Sequence, residues 1–330
     1  MSVLVTGGAG YIGSHIVKAL VAAGEQVVVL DNLSKGHRQA VDNGVLAFRQ
    51  GDIADRELVG QIVSDYQVTG VIHMAADSLV GESMSEPVKY YNHNVIKGLA
   101  FLETLLAAGV RQVVFSSTAA VYGEPTIKKL ITEAFPTHPT NVYGRTKLVL
   151  EGALADYDRA YGMKSVALRY FNAAGADPAG QIGEDHQPES HLIPLVLQAA
   201  LGVRENITIF GEDYPTPDGT CLRDYIHVND LAQAHILALK HLAAGGDSKT
   251  YNLGNGLGFS VRQVIEIAAA VTGRTIPTLI GPRRAGDPAV LVAGSEQIRR
   301  ELGWCPQYSG LREIVEHAWK WHLAHPQGYL

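Results

Sequence analysis

Val3-Leu4-Val5-Thr6-Gly7-Gly8-Ala9-Gly10-Tyr11-Ile12-Gly13 decides how this chain is read. An apolar run breaks on glycines at 7, 10 and 13 and passes straight into an amphipathic stretch over 12–23. A short continuous apolar run marks a buried strand, and apolar residues at three- and four-residue spacing mark a helix. A strand that turns on glycines into a helix gathers free backbone N–H groups at the helix N-terminus. There they and the helix dipole attract an anion such as a pyrophosphate. With 35 glycines in 330 residues, the triplet alone could equally be a plain strand–helix turn. Asp31 shifts the reading. It closes the next apolar strand 18 residues beyond Gly13, close to the spacing of about 20 at which an acid meets the adenosine ribose hydroxyls. An acid there repels a 2′-phosphate, which favours NAD over NADP, and this weighs more than the nearby Lys35 and Arg38.

The same alternation continues outward. Strands are predicted at 2–5, 26–31, 46–50, 70–73, 112–116 and 165–169, with helices at 12–23, 57–66, 91–108 and 143–160. Continuous apolar strands separated by helices indicate an α/β fold, a doubly wound parallel (Rossmann) sheet covered on both faces. After Phe171 the pattern changes. Residues 173–190 are rich in Gly, Pro and acids, and 211–219 carries Pro215 and Pro217, both loop signatures. Helices are expected again at 191–201, 229–242 and 260–271, with strands at 224–227 and 250–253. We therefore expect a dinucleotide-binding domain over 1–170 and a smaller α/β substrate domain over 171–330, with parts of 224–253 packing back onto the first.

Composition excludes several classes. The formal net charge of −6 argues against a nucleic-acid surface. Cys221 and Cys305 are the only cysteines, with no CxxC pair, so neither a disulfide framework nor a metal site is expected. No signal-peptide pattern opens the chain and no apolar run reaches membrane-span length, which suggests a cytoplasmic protein without a membrane partner.

Tyr143-Gly144-Arg145-Thr146-Lys147 places Tyr and Lys four apart, on one helix face. Chance readily supplies such a pair in a chain with 14 tyrosines. More telling is that Ser116-Ser117-Thr118 ends the fifth predicted strand, at the carboxyl edge where ligands bind in open α/β sheets. A phenol is a poor base near neutrality, and a neighbouring ammonium and an oxidised nicotinamide both favour its phenolate. Tyr, Lys and a hydroxyl together suit oxidation of a secondary alcohol with hydride transfer to NAD.

TGGAGYIGSH (6–15), LDNLSKGH (30–37), GDI (51–53), HMAADSLVGES (73–83), SSTAAVYGE (116–124), YGRTK (143–147) and RYFNAAGAD (169–177) resemble the extended short-chain dehydrogenase/reductases. GEDYPTPDGTCLRDYIHVNDLA (211–232), YNLGNG (251–256) and RRAGDP (283–288) are similar, more narrowly, to the UDP-glucose 4-epimerase family, almost end to end. The resemblance implies reversible 4-epimerisation of UDP-hexoses through a 4-keto sugar, with NAD tightly bound and not consumed, and a homodimer built on 91–108 and 146–160. It implies Tyr143 as base, Lys147 on the nicotinamide ribose and Thr118 as the substrate-side hydroxyl. It assigns cofactor contacts to Gly7, Gly10, Tyr11, Ile12, Gly13, Asp31, Asn32, the turn Leu33, Ser34, Lys35 and Gly36, then Asp52, Ile53, Met74, Ala75, Ala76, Asn94, Ser116 and Phe171. Substrate contacts fall on Asn172, Leu192, Phe210, Arg223, Arg284, Asp287 and Leu291, the arginines matching a diphosphate by their forked donors.

Three positions depart from the family pattern. Ser78 stands where Lys is common, beside the extra acid Asp77; His191 replaces a common Asn; and Leu291 occupies a gate position where bulk excludes N-acetylated sugars. Leu is intermediate, so acceptance of UDP-GlcNAc and UDP-GalNAc stays open. A 4,6-dehydratase needs an Asp-Glu pair after the active-site Thr, where this chain has Ala119-Ala120. A UDP-glucuronate epimerase or decarboxylase is compatible with the same motifs, whereas a catalytically silent NAD-binding sensor keeps the glycine turn but usually loses the Tyr/Lys/Thr set, which is present here in Tyr143, Lys147 and Thr118.

Overall fold

The computed structural model describes residues 1–125, 130–284 and 287–329. Seven parallel strands form the main sheet: β1 (Ser2–Thr6), β2 (Gln26–Asp31), β3 (Ala47–Gln50), β4 (Gly70–His73), β5 (Gln112–Thr118), β6 (Lys164–Tyr170) and β10 (Lys249–Leu253). Between β6 and β10 the chain makes β7 (Asn172–Ala174), β8 (Ile207–Phe210) and β9 (Leu222–His227). After β10 come β11 (Gly258–Ser260), β12 (Thr278–Gly281) and β13 (Val290–Leu291).

The main sheet runs β10-β6-β5-β4-β1-β2-β3. Val3, Leu4 and Val5 are fully buried, as are Val27 to Leu30, because helices cover both faces and leave no solvent side to alternate with. One face buries Ile16, Val17 and Leu20 of α1 (Tyr11–Ala22) against the sheet, and the other takes Val59 and Ile62 of α2 (Arg56–Asp65). β1 pairs with β2 on one side and β4 on the other, so chain progression reverses there. The crevice outside the carboxyl ends of these strands is where such a sheet binds ligands.

The next helices are α3 (Val80–Ser85), α4 (Pro87–Tyr90), α5 (Lys97–Ala107), α6 (Val142–Tyr161), α7 (Leu192–Leu201) and α8 (Val228–Ala243). They are followed by α9 (Val261–Thr272), α10 (Glu296–Leu302) and α11 (Leu311–Ala324). A separate core of α7, α9 and α11 packs around Ile207, Ile209 and Tyr225. The stretch from Ile226 to Leu253 runs back into the first core: α8 packs there beside Val5 and Ile16, and β10 pairs with β6 in register Tyr251↔Leu168.

Two features differ from the periodicity. The helix predicted over 91–108 opens with a π-helical turn, Tyr91–Ile96, before α5, which sets Asn94 inward against the loop after β4. The periodicity also does not mark α3, α4, α10 and α11; the first two are too short for a helical period to show. No helix among the described residues is long and apolar enough to cross a membrane.

Candidate active site

A cleft of about 1320 Å³ lies along the carboxyl edge of the main sheet and continues against the second core. Its floor at one end is the glycine turn. Gly7 has φ of +69°, and a Cβ there would lie 2.7 Å from the Ala75 nitrogen; one on Gly13 would lie 2.1 Å from the Gly7 carbonyl. Only glycine allows the turn and the helix start to nest so closely. The Asp31 carboxylate accepts from the Ala9 N–H at 2.9 Å and from the Leu33 N–H at 2.8 Å. Burial raises its pKa, against the pull of these two donors. Asp31 thus fixes both glycine turn and β2 turn while its remaining lone pairs face a cleft it helps line.

Gly7, Gly10, Tyr11, Ile12, Gly13, Asn32, Ser34, Lys35 and Gly36 line this end with Asp31. Asp52, Ile53, Met74, Ala75 and Ala76 continue the wall. Asp52 is half-buried, which raises its pKa, but Lys97 donates to it at 2.6 Å and the net shift is downward. Asp77 does not leave a bare charge: His93 Nδ1 lies 2.6 Å from its carboxylate and Lys89 Nζ 3.8 Å.

At the middle of the cleft stand Ser116, Thr118, Tyr143, Lys147 and Phe171. Asn141 caps α6 by accepting from the Gly144 N–H at 2.8 Å, and Gly144 lets that first turn press on the Ala120 carbonyl, 2.6 Å from where its Cβ would sit. This close approach sets Tyr143 on the same stretch of cleft wall as Thr118. Lys147 Nζ donates to the Ser116 carbonyl at 2.8 Å and sits 5.9 Å from the Tyr143 ring centre. Burial pushes the Tyr143 hydroxyl well above the usual phenol range and the Lys147 ammonium down to about 7. In the protein alone desolvation dominates both groups.

Below them lies a buried polar network. Glu151, one turn beyond Lys147, accepts from the Ser117 hydroxyl and from Arg169, whose Nη2 lies 2.5 Å away. Arg169 also donates to the Tyr122 hydroxyl at 2.9 Å.

The far end is formed by Asn172, Arg223, Arg284, Asp287 and Leu291. Arg223 donates to Asp287 at 2.6 Å and to the Leu222 and Pro288 carbonyls at 2.8 Å each. Leu291 pairs in register with Arg223 on the neighbouring strand. Ala285 and Gly286 of RRAGDP lie outside the described residues.

Four expected residues fall behind the cleft wall. Leu33 adopts φ of +58° and packs on the first core. Asn94 is buried, its amide donating to the Asp77 carbonyl at 2.9 Å and to Thr146 at 3.1 Å. Leu192 packs into the second core. Phe210 supports the wall from behind, with the Arg284 guanidinium 3.9 Å over its ring. Conversely, Lys97, Tyr170, His186, Glu189 and Arg204 line the cleft although no sequence pattern marks them as site residues, and His191, one of the departures from the family pattern, lines it beside them. For the 184–191 segment the one local signal is its density of His and Glu in a loop.

The chain matches the family model for the NAD dependent epimerase/dehydratase family over residues 3–254, and it belongs to that family. Within it, the chain is 57% identical over 329 residues to a UDP-glucose 4-epimerase of Halalkalibacterium halodurans, covering 100% of this chain and 98% of that protein. A crystal structure of UDP-glucose 4-epimerase superposes with a TM-score of 0.97 at 53% identity, covering both chains fully. The Bifidobacterium longum UDP-glucose 4-epimerase, solved in complex with NAD+ and UDP, superposes with a TM-score of 0.94 at 36% identity, again over the whole of both chains.

Proposed function

We propose that this chain is an isomerase that interconverts UDP-glucose and UDP-galactose at C4 of the sugar, with NAD as its cofactor. The observation that carries the reading is the convergence of Tyr143, Lys147 and Thr118 on one cleft with the glycine turn and Asp31. The residues fit NAD: the nested glycines leave backbone N–H groups for a pyrophosphate, and Asp31 keeps acceptor capacity for ribose hydroxyls. Bound NAD supplies a reversible hydride acceptor.

Tyr143 takes the proton of the sugar 4-hydroxyl and returns it after the 4-keto sugar has turned over in the site. Thr118 holds the substrate oxygen against the phenol. Lys147, fixed on the Ser116 carbonyl, orients the cofactor ribose and lends positive charge to the phenolate. Arg223 and Arg284 hold the diphosphate at the far end, so the nucleotide stays anchored while the sugar rotates. We also propose a homodimer in which a second copy would cover Ile96 on the π turn and Val149 on α6, which are 63% and 44% exposed on neighbouring helices.

The test is incubation of the purified protein, with no added NAD, with UDP-galactose and separately with UDP-N-acetylgalactosamine, followed by NMR. Formation of UDP-glucose from the first is expected. Conversion of neither substrate would reject the reading in favour of a uronate enzyme or a silent sensor. Light scattering at monomer mass would reject the dimer.

A further inference from the structure

The segment between β7 and α7 carries Glu184, His186, Glu189 and His191, and one donor atom from each lies within 4.8 Å of all the others. Glu184 and Glu189 have side chains only 3% and 5% exposed. Two carboxylates brought this close, both out of water, demand compensating positive charge on the spot. His186 Nδ1 faces the Glu184 carboxylate at 3.1 Å, and His191 Nδ1 contacts the same oxygen. Two imidazole nitrogens and two carboxylates are the donor set of zinc-class ions, whereas magnesium and calcium favour oxygen alone.

The frame around the four donors is set by groups other than themselves. Trp321 Nε1 donates to the Glu184 carbonyl at 3.1 Å. Lys35 donates to the Gln187 carbonyl at 2.8 Å, and the Asp185 carboxylate accepts from the Tyr329 N–H at 3.0 Å. The Tyr11 ring stands edge-on to His186 at 6.1 Å. An ion can reach the cluster from two sides. His186, Glu189 and His191 face the main cleft, and Glu184, His186 and Glu189 also face a second cavity of about 250 Å³ that His322 and His325 line from α11 and its end.

We propose that Glu184, His186, Glu189 and His191 form a binding site for a divalent cation of the zinc class, which braces the 184–191 segment. No group among the four is assigned a part in the epimerisation. The ion would stiffen the wall shared by the two cavities, the same segment whose Gln187 carbonyl accepts from Lys35.

The experiment uses the NAD-loaded protein, stripped with a chelator, dialysed and titrated with Zn2+ by calorimetry, with Co2+ absorption as a second readout. The expected result is one saturable equivalent per chain, a cobalt band of four- or five-coordinate N/O geometry, and a raised Tm on Zn2+ addition. The double variant His186→Ala/His191→Ala should lose affinity by more than the ~10–100-fold that loss of a supporting contact causes. Cys305→Ser and His241→Ala, remote from the cluster, should bind as the parent does. Should the double variant fail to fold, Glu189→Gln is the substitute and should weaken Zn2+ at least tenfold. Absence of saturable binding, or binding that survives in the variants, overturns the proposal and leaves the cluster as two carboxylates contacted by His186 and His191.

Discussion

Lys147 donates to the main-chain carbonyl of Ser116 at 2.8 Å, which fixes its ammonium at the end of β5 and 5.9 Å from the centre of the Tyr143 ring. The helix supplies only the four-residue spacing of Tyr and Lys. The position of the charge relative to the phenol is set by the strand. In the protein alone, burial raises the tyrosine and lowers the lysine, so desolvation disfavours the charged form of both groups.

Tyr143→Phe should therefore keep its bound NAD and lose turnover by about 10²–10⁴, the usual share of a positioned proton-transfer group. NAD released on denaturation and kcat for UDP-galactose are the two quantities to measure. A kcat near that of the parent would remove Tyr143 from the mechanism.

Glu151 and Arg169 form a charge pair with both side chains 9% exposed, 2.5 Å apart. Removing one partner leaves a buried charge unpaired, so Glu151→Ala should lower stability by roughly 3–5 kcal/mol. Urea unfolding of Glu151→Ala, Arg169→Ala and the double variant should show the two losses to be strongly non-additive, because the second removal abolishes the charge stranded by the first.

Gly13→Ala places a methyl group 2.1 Å from the Gly7 carbonyl. The turn has to open, at a cost of about 1–3 kcal/mol from overpacking, and the N–H groups it gathers lose their alignment. We expect the variant to fold with a lower Tm and to be purified with little NAD. Ala at Gly60, where nothing lies within 4 Å of the added Cβ, is the matching control and should retain its cofactor.

Leu291 pairs with Arg223 across the far end of the cleft. Leu291→Tyr should narrow that end and lower kcat/KM for UDP-N-acetylgalactosamine relative to UDP-galactose. An unchanged ratio between the two substrates would show that Leu291 does not set the width of the sugar site.

His73, His227 and His235 have pKa values pushed down by burial, to about 3, about 3 and about 4. Unfolded, each takes up a proton near pH 6.5, so below that pH the unfolded chain binds more protons than the folded one. Their contribution is fully present above about pH 6.5 and is lost as pH falls toward 4, at about 1.4 kcal/mol per pH unit for each histidine. Urea midpoints between pH 7.5 and 5 should fall accordingly. The slope should be shallower by about one histidine's share in His235→Leu.

Much of this could be seen in the residues themselves. The six strands predicted before Phe171 all exist, because a parallel sheet covered on both faces leaves an unbroken apolar run for each strand, and glycines separate them from helices. The glycine turn, Asp31, Tyr143 and Lys147 are likewise local patterns of strand end and helix face. What a linear pattern cannot show is proximity across the chain. Asn94 sits on a π turn and donates to the Asp77 carbonyl and to Thr146, contacts between segments far apart in the chain. The stretch from Ile226 to Leu253 follows the change in composition yet returns to the first core, where β10 extends the sheet beside β6.

The sequence by itself determined the doubly wound sheet, the glycine turn and the tyrosine–lysine pair, since each rests on spacing within one or two adjacent elements. Only the tertiary structure decided which charges are paired. It set Arg223 on Asp287, Asp52 on Lys97, Glu151 on Arg169, and drew Glu184, His186, Glu189 and His191 together. Such pairings depend on how close packing excludes water and fixes distances between segments far apart in the chain, and the same burial moves the proton affinities of Tyr143 and Lys147 away from those of the free side chains.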